Sequence, residues 1–149
     1  MEIVGVSLKG FKRSPEVDIS VPGTSVVIGG NNSGKSSLLQ GIHFALTVLQ
    51  SAGLAGEDGK SMSTLGFDQV LYKPTNNLIG LYTDGPITSK SGPEFSFSYL
   101  APGSQEIQEF KLALRRGKNA NLSIAFEKKA HSLYEPPTLP TQCLFLFQH

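Results

Sequence analysis

The chain has 149 residues, 39% of them apolar, and 16 glycines, a composition that supports a domain with its own core and excludes disorder throughout. Its 13 Lys and Arg against 12 Asp and Glu leave a formal charge of +1, which argues against a chain whose main purpose is to coat nucleic acid. The single Cys143 excludes an internal disulfide, and His43, His131 and His149 stand too far apart for zinc spacing.

The opening MEIVGVSLKGFK lacks the basic and then long apolar regions of a signal peptide. No apolar run reaches the roughly 18 residues that span a bilayer, so the expectation is a cytoplasmic protein with no membrane partner. Ile3 to Leu8 favours a strand, and Glu16 to Val21 alternates polar and apolar with period two, which together predict a hairpin. Pro22-Gly23 turns the chain into Thr24 to Ile28, a β-branched run expected to be a strand buried on both faces. Beyond a glycine-rich stretch, Leu38, Leu39, Ile42, Ala45, Leu46 and Leu49 recur with helical spacing. The small, polar segment Ser51 to Gly66 reads as a mobile connection, and Phe67 to Leu81 as one or two helical turns around Pro74. Three alternating stripes follow, Phe95-Phe97-Tyr99, Phe110-Leu112-Leu114 and Leu122-Ile124-Phe126, with turns at Gly103 and Gly117-Lys118-Asn119. They predict an antiparallel meander with one buried face. The fold class expected is mixed α/β with substantial antiparallel sheet. Its parts are residues 1–50 (hairpin, loop and helix), 51–92 (connection), 93–129 (antiparallel strands) and 130–149 (a Pro-rich segment and terminal strand).

Gly29-Gly30-Asn31-Asn32-Ser33-Gly34-Lys35-Ser36 fits G-x-x-x-x-G-K-[ST], the phosphate-loop pattern known as Walker A. At average residue usage the pattern arises by chance in roughly 0.5% of chains this long. Glycines let successive backbone N–H groups turn inward around phosphate oxygens, and the helix that follows aims its positive dipole end at the same charge. In that chemistry Lys35 bridges the β- and γ-phosphates, Ser36 ligates Mg²⁺, and Ser37 reaches the α-phosphate. The plain alternative is a glycine-rich turn before a capped helix, which needs no ligand.

GGNNSGKSSLLQGI, preceded by a front hairpin containing SLKGFK, resembles the N-terminal half of ABC-type ATPase heads of the SMC, recombination-repair and OLD-nuclease group, over Ile3 to about Leu49. FDQVLYKPTNNLIGLYTDG and the alternating strands after it resemble the less regular antiparallel lobe that OLD-type and related defence ATPases carry at this point. The resemblance implies an ABC-type P-loop lobe that binds ATP and Mg²⁺. It implies a role for Asn32 beside Lys35 near the γ-phosphate or attacking water. It places Lys12 and Arg13 near the nucleotide and matches the terminal Gln148 to a glutamine that senses Mg²⁺. Gly30 stands where that group often has proline. The implied partners are the remainder of the head, a second head in a homodimer, and DNA, in repair, maintenance or anti-phage defence.

A Walker B strand, an LSGGQ-like signature and a late switch histidine are missing from the sequence, and Asp84-Gly85-Pro86 reads as a turn. The expectation is therefore a segment of a longer head that binds without turning over. Two other readings stay open: a non-catalytic nucleotide-binding module, or a different small P-loop NTPase or kinase. Against the latter, the chain has no N-K-x-D guanine motif and its arginines are Arg13, Arg115 and Arg116, too few for a kinase lid. Lys12 and Arg13 also suit a solvated turn, and Gln148 a frayed terminus. Lys111, Arg115, Arg116, Lys118, Lys128 and Lys129 suit either a DNA-facing patch or a solvated sheet face. His43 suits packing better than base chemistry, and Phe95, Phe97 and Tyr99 suit a core better than a base-stacking platform.

Overall fold

Alternation with period two lays down β1 (Glu2–Phe11) and β2 (Ser14–Ser20), which pair antiparallel with Val6 opposite Ile19 and Leu8 opposite Val17. Phe11 lies opposite Ser14, so Lys12 and Arg13 form the two-residue turn, with Lys12 in the left-handed region at φ 49°. β3 (Thr24–Ile28) leads into the glycine-rich loop and α1 (Lys35–Ser51). The remaining strands are β4 (Gly59–Leu65), β5 (Glu94–Leu100), β6 (Glu106–Arg116), β7 (Leu122–Leu133) and β8 (Thr141–Phe145). The computed structural model describes residues 2–21, 23–31, 33–55, 57–133 and 141–145, with residues 130–133 and 141–145 as backbone alone.

Six strands form one sheet in the order β2-β1-β5-β6-β7-β4, every pairing antiparallel, while β3 and β8 make a separate parallel pair. The three stripes all face one side. Phe95, Phe97, Phe110, Leu112, Leu114, Leu122, Ile124 and Phe126 are buried there together with Val6 and Leu8 of β1. Helix α1 covers the β1–β2 side of this face with Leu38, Phe44, Ala45, Val48 and Leu49. Phe11, Phe44 and Phe95 interlock, with ring centroids 5.6 to 6.4 Å apart. Gly41 allows the close approach, since a Cβ there would sit 3.0 Å from the Phe11 ring and 3.1 Å from Leu8. The helix closes at Gly53, in the left-handed region at φ 70°, and the Leu54 N–H bonds the Leu49 carbonyl at 3.0 Å.

This architecture corrects the expected α/β P-loop class. Among the described residues there is a single α-helix, and the bulk of the chain is one antiparallel sheet. β3, the loop and α1 do follow one another, but β3 is not a strand of the main sheet and no second β–α unit repeats the pattern. The motif carries information about nine or so residues, and alternating stripes dictate the rest of the sheet. Two local expectations also change. β3 is not buried on both faces, because Val26 and Ile28 are 47% and 45% exposed; β-branched composition specifies extended backbone and leaves burial to the neighbours. The stretch expected as a mobile connection contains β4, which pairs along β7 with Met62 opposite Ala125. Its serines and exposed Met62 give no apolar stripe, as suits the edge of a sheet.

The helix stripe is rotated from its sequence reading: Leu39 is 59% exposed, while Phe44 and Val48 are fully buried. Phe44→Ala is expected to lower stability by about 3–5 kcal/mol and Leu39→Ala by less than about 0.5 kcal/mol in urea unfolding. Equal costs would contradict this placement of the helix.

Candidate functional site

The loop from Gly29 to Gly34 is held at both ends by β3 and α1. Within it the Ser33 N–H bonds the Gly30 carbonyl at 3.2 Å. Gly34 caps the helix at φ 88°, a conformation that favours glycine, and makes no side-chain cap bond. The first intrahelical bond at this end runs from the Leu38 N–H to the Gly34 carbonyl at 2.8 Å. The N–H groups of Lys35, Ser36 and Ser37 therefore have no partner within the helix, as at any helix start. The first turn holds no acidic residue, so the partial positive charge of the helix end, about half an elementary charge, is left uncancelled there.

Lys35 folds back over the loop. Its Nζ donates to the carbonyls of Gly29 and Gly30, the latter at 2.6 Å, and lies 3.3 Å from Ser33 Oγ. A cavity of about 340 Å³ opens beside it, lined by Arg13, Asn31, Ser33, Gly34, Lys35, Ser36 and Ser37. Among the described residues the lining holds two cations, two hydroxyls at the helix start and no carboxylate, a chemistry suited to an anion. Ser36 is exposed, as a metal-ligating hydroxyl must be, and Ser37 is buried in the wall. The donor set fits a triphosphate carrying Mg²⁺: hard hydroxyl oxygen for the metal, ammonium and backbone N–H groups for the phosphates.

The β1–β2 turn brings Arg13 to this cavity, and Lys12 to the next one. A cleft of about 480 Å³ shares Arg13 and Ser37 with the loop cavity and adds Lys12, Gln40, Gly80 and Tyr82. Lys12 Nζ spans from Gln40 Oε1 at 2.8 Å to the Pro74 carbonyl at 3.0 Å, and its partial burial lowers its pKa below the usual lysine range. Tyr82 lies across Gly10, where a Cβ would meet its ring at 2.5 Å, and Gly10 is left-handed at φ 72°. Partial burial, then the charge and hydrogen bond of Asp84, raise the Tyr82 phenol above its ordinary pKa, so the ring is neutral. Gly80 and Tyr82 have no local signal that ties them to the loop, whereas Gln40 stands one helical turn after Ser37 on α1, a spacing that could have marked it. Asn32 and Gln148 lie outside the described residues.

The other candidates resolve into structure. Lys128 pairs with Asp58 at 2.7 Å, Lys129 and Lys60 with Glu127 at 3.1 and 3.6 Å, Lys111 with Glu109 at 3.7 Å and Arg115 with Glu94 at 2.5 Å. Carboxylates thus interleave Lys111, Arg115, Lys128 and Lys129 on these strands, while Arg116 and Lys118 stand at the end of β6 and in the turn that follows it. His43 stacks on Tyr72 with centroids 3.9 Å apart, a packing role. Phe95 and Phe97 are buried in the core and offer no platform.

Among the described residues no cluster of three or more His, Cys, Asp or Glu could hold a metal, and no helix is long and apolar enough to cross a membrane. No family model matches the chain, and no curated protein matches it.

The two glycines flanking the loop cavity differ sharply in what they tolerate. Gly30 has open space around a Cβ, whereas Gly34 combines positive φ with Ser14 Oγ 3.3 Å away. Gly34→Ala is expected to cost about 1–2 kcal/mol and Gly30→Ala less than about 0.5 kcal/mol, read from urea midpoints. A costlier substitution at Gly30 would contradict the loop conformation.

Proposed function

We propose that Gly29 to Ser37 bind the triphosphate of ATP together with Mg²⁺. The observation that carries this reading is Lys35 Nζ resting on the Gly29 and Gly30 carbonyls and near Ser33 Oγ, at a helix N-terminus whose cap, Gly34, makes no side-chain bond, with cationic lining. An ammonium held by weak neutral acceptors is free to exchange them for phosphate oxygens, with which its bonds are charge-assisted on both sides. In the bound state Lys35 spans the β- and γ-phosphates, the N–H groups of the first helical turn converge on the β-phosphate, and Ser37 takes the α-phosphate. Mg²⁺, held by Ser36, would neutralise charge between the outer phosphates. Asn32, within the motif, is the residue proposed to approach the γ-phosphate or attacking water.

Hydrolysis needs a carboxylate or an equivalent group to position water, and no acidic residue lines the loop cavity among the described residues. The reading is thus nucleotide binding by this segment, with turnover completed by the rest of an ATPase head and a second copy. The resemblance of the motif segment to ABC-type heads extends this proposal to cytoplasmic work on DNA in repair, maintenance or defence. A non-catalytic nucleotide-binding module is favoured instead if binding persists without turnover in every assembly state.

Calorimetric titration with ATP and Mg²⁺, with phosphate release read in the same sample, tests the proposal. Lys35→Ala is expected to weaken ATP binding by at least about tenfold, the loss of one charge-assisted bond of roughly 1.5–3 kcal/mol. The wild-type chain alone should bind without steady phosphate release. Unchanged affinity in Lys35→Ala overturns the assignment.

A further inference from the structure

The loop cavity accounts for phosphates and leaves the rest of a nucleotide without a seat. It adjoins, along Arg13 and Ser37, the cleft of Lys12, Gln40, Gly80 and Tyr82. At about 480 Å³ that cleft falls inside the roughly 300–1,000 Å³ range of small-molecule sites. Resting on the phosphate-loop reading, we infer that this cleft receives the nucleoside of the bound triphosphate, with Tyr82 as the side chain that stacks on the base and Gln40 as a hydrogen-bond donor to it.

The order of groups supports the direction. Lys35 and Ser36 belong to the outer phosphates and Ser37, one residue further into the helix, to the α-phosphate; the shared wall at Ser37 is then the exit toward the nucleoside. The backbone on both sides of Tyr82 is fixed by bonds from the Lys12 N–H to the Leu81 carbonyl and from the Thr83 N–H to the Gly10 carbonyl, each 2.9 Å. Glycine at position 10 leaves room for the ring against β1. A neutral aromatic ring offers a stacking face to any base without repelling the phosphates.

Gln40 is oriented by chemistry alone. Lys12 Nζ is a donor with no acceptor capacity, so the atom of Gln40 that meets it at 2.8 Å must be Oε1. The amide nitrogen of Gln40 is then turned away from Lys12, leaving its N–H donors for an acceptor such as a ring nitrogen of the base. Lys12 therefore acts as a strap between α1 and Pro74 that sets this orientation, and contributes to the site as a positioning residue.

The test compares ATP with inorganic tripolyphosphate, each with Mg²⁺, on the full chain and on Tyr82→Leu and Tyr82→Phe. Wild-type protein is expected to bind ATP more tightly than tripolyphosphate. Tyr82→Leu should weaken ATP binding by about tenfold, the loss of one base–aromatic stack, and leave tripolyphosphate affinity unchanged. Tyr82→Phe should retain wild-type affinity for both. Equal loss of both ligands in Tyr82→Leu, or no loss of ATP affinity, overturns the inference. So does wild-type protein that binds tripolyphosphate as tightly as ATP, a result that leaves the phosphate loop standing. Wild-type protein that binds neither ligand overturns the loop reading and this inference with it.

Discussion

The close seating of α1 on β1 is the constraint from which the rest of the site follows. Gly41 brings the helix within van der Waals reach of Leu8 and Phe11, and the interlocked rings of Phe11, Phe44 and Phe95 fix its rotation. Burying each such side chain is worth roughly 1.5–3 kcal/mol, so the helix cannot lift away without a loss comparable to a large share of a domain's stability. Because β1 ends at Phe11 and turns at Lys12 and Arg13, the same contact carries two cations to the helix's N-terminal half. The strand, the turn and the helix start are thus one mechanical unit.

Electrostatics then sorts the two cations into different tasks. Lys12 is engaged with Gln40 and Pro74 and partly buried, so it ties α1 to the segment before Leu78. Lys35 rests on carbonyls of its own loop, where its bonds are to neutral acceptors and weaker than those it would form with phosphate. Both lysines thus bond neutral acceptors, Lys12 across from α1 to Pro74 and Lys35 within its own loop.

Much of this was legible in the residues, for reasons that differ by element. The stripes of Phe95, Phe110 and Leu122 with their successors are period-two signals that only an antiparallel face satisfies, and the strands sit where those stripes put them. The pattern from Gly29 to Ser36 is readable because fixed residue types stand at fixed spacing, and the phosphate role proposed for it rests on that pattern. The expected α/β class fails because the strand–loop–helix pattern spans one short segment, whereas a sheet of six antiparallel strands dominates the architecture. β4 was invisible because an edge strand needs no apolar stripe, and the exposure of Val26 and Ile28 because burial is set by neighbours distant in sequence. Tyr82 meets Arg13 and Ser37 through tertiary packing, which no local pattern encodes, whereas Gln40 follows Ser37 by one helical turn on α1.

The central claim is that the backbone from Gly29 to Ser37 forms the anion receptor, and amide NMR on addition of ATP and Mg²⁺ tests it most directly. The account predicts that the amide resonances of Gly34, Lys35, Ser36 and Ser37 move most, since their N–H groups stand at the helix start facing the cavity. Amides of β6 and β7, on the far side of the sheet order, should stay in place. Resonances of the loop that do not move at saturating nucleotide, or movement concentrated on the ion-paired strands instead, would contradict it.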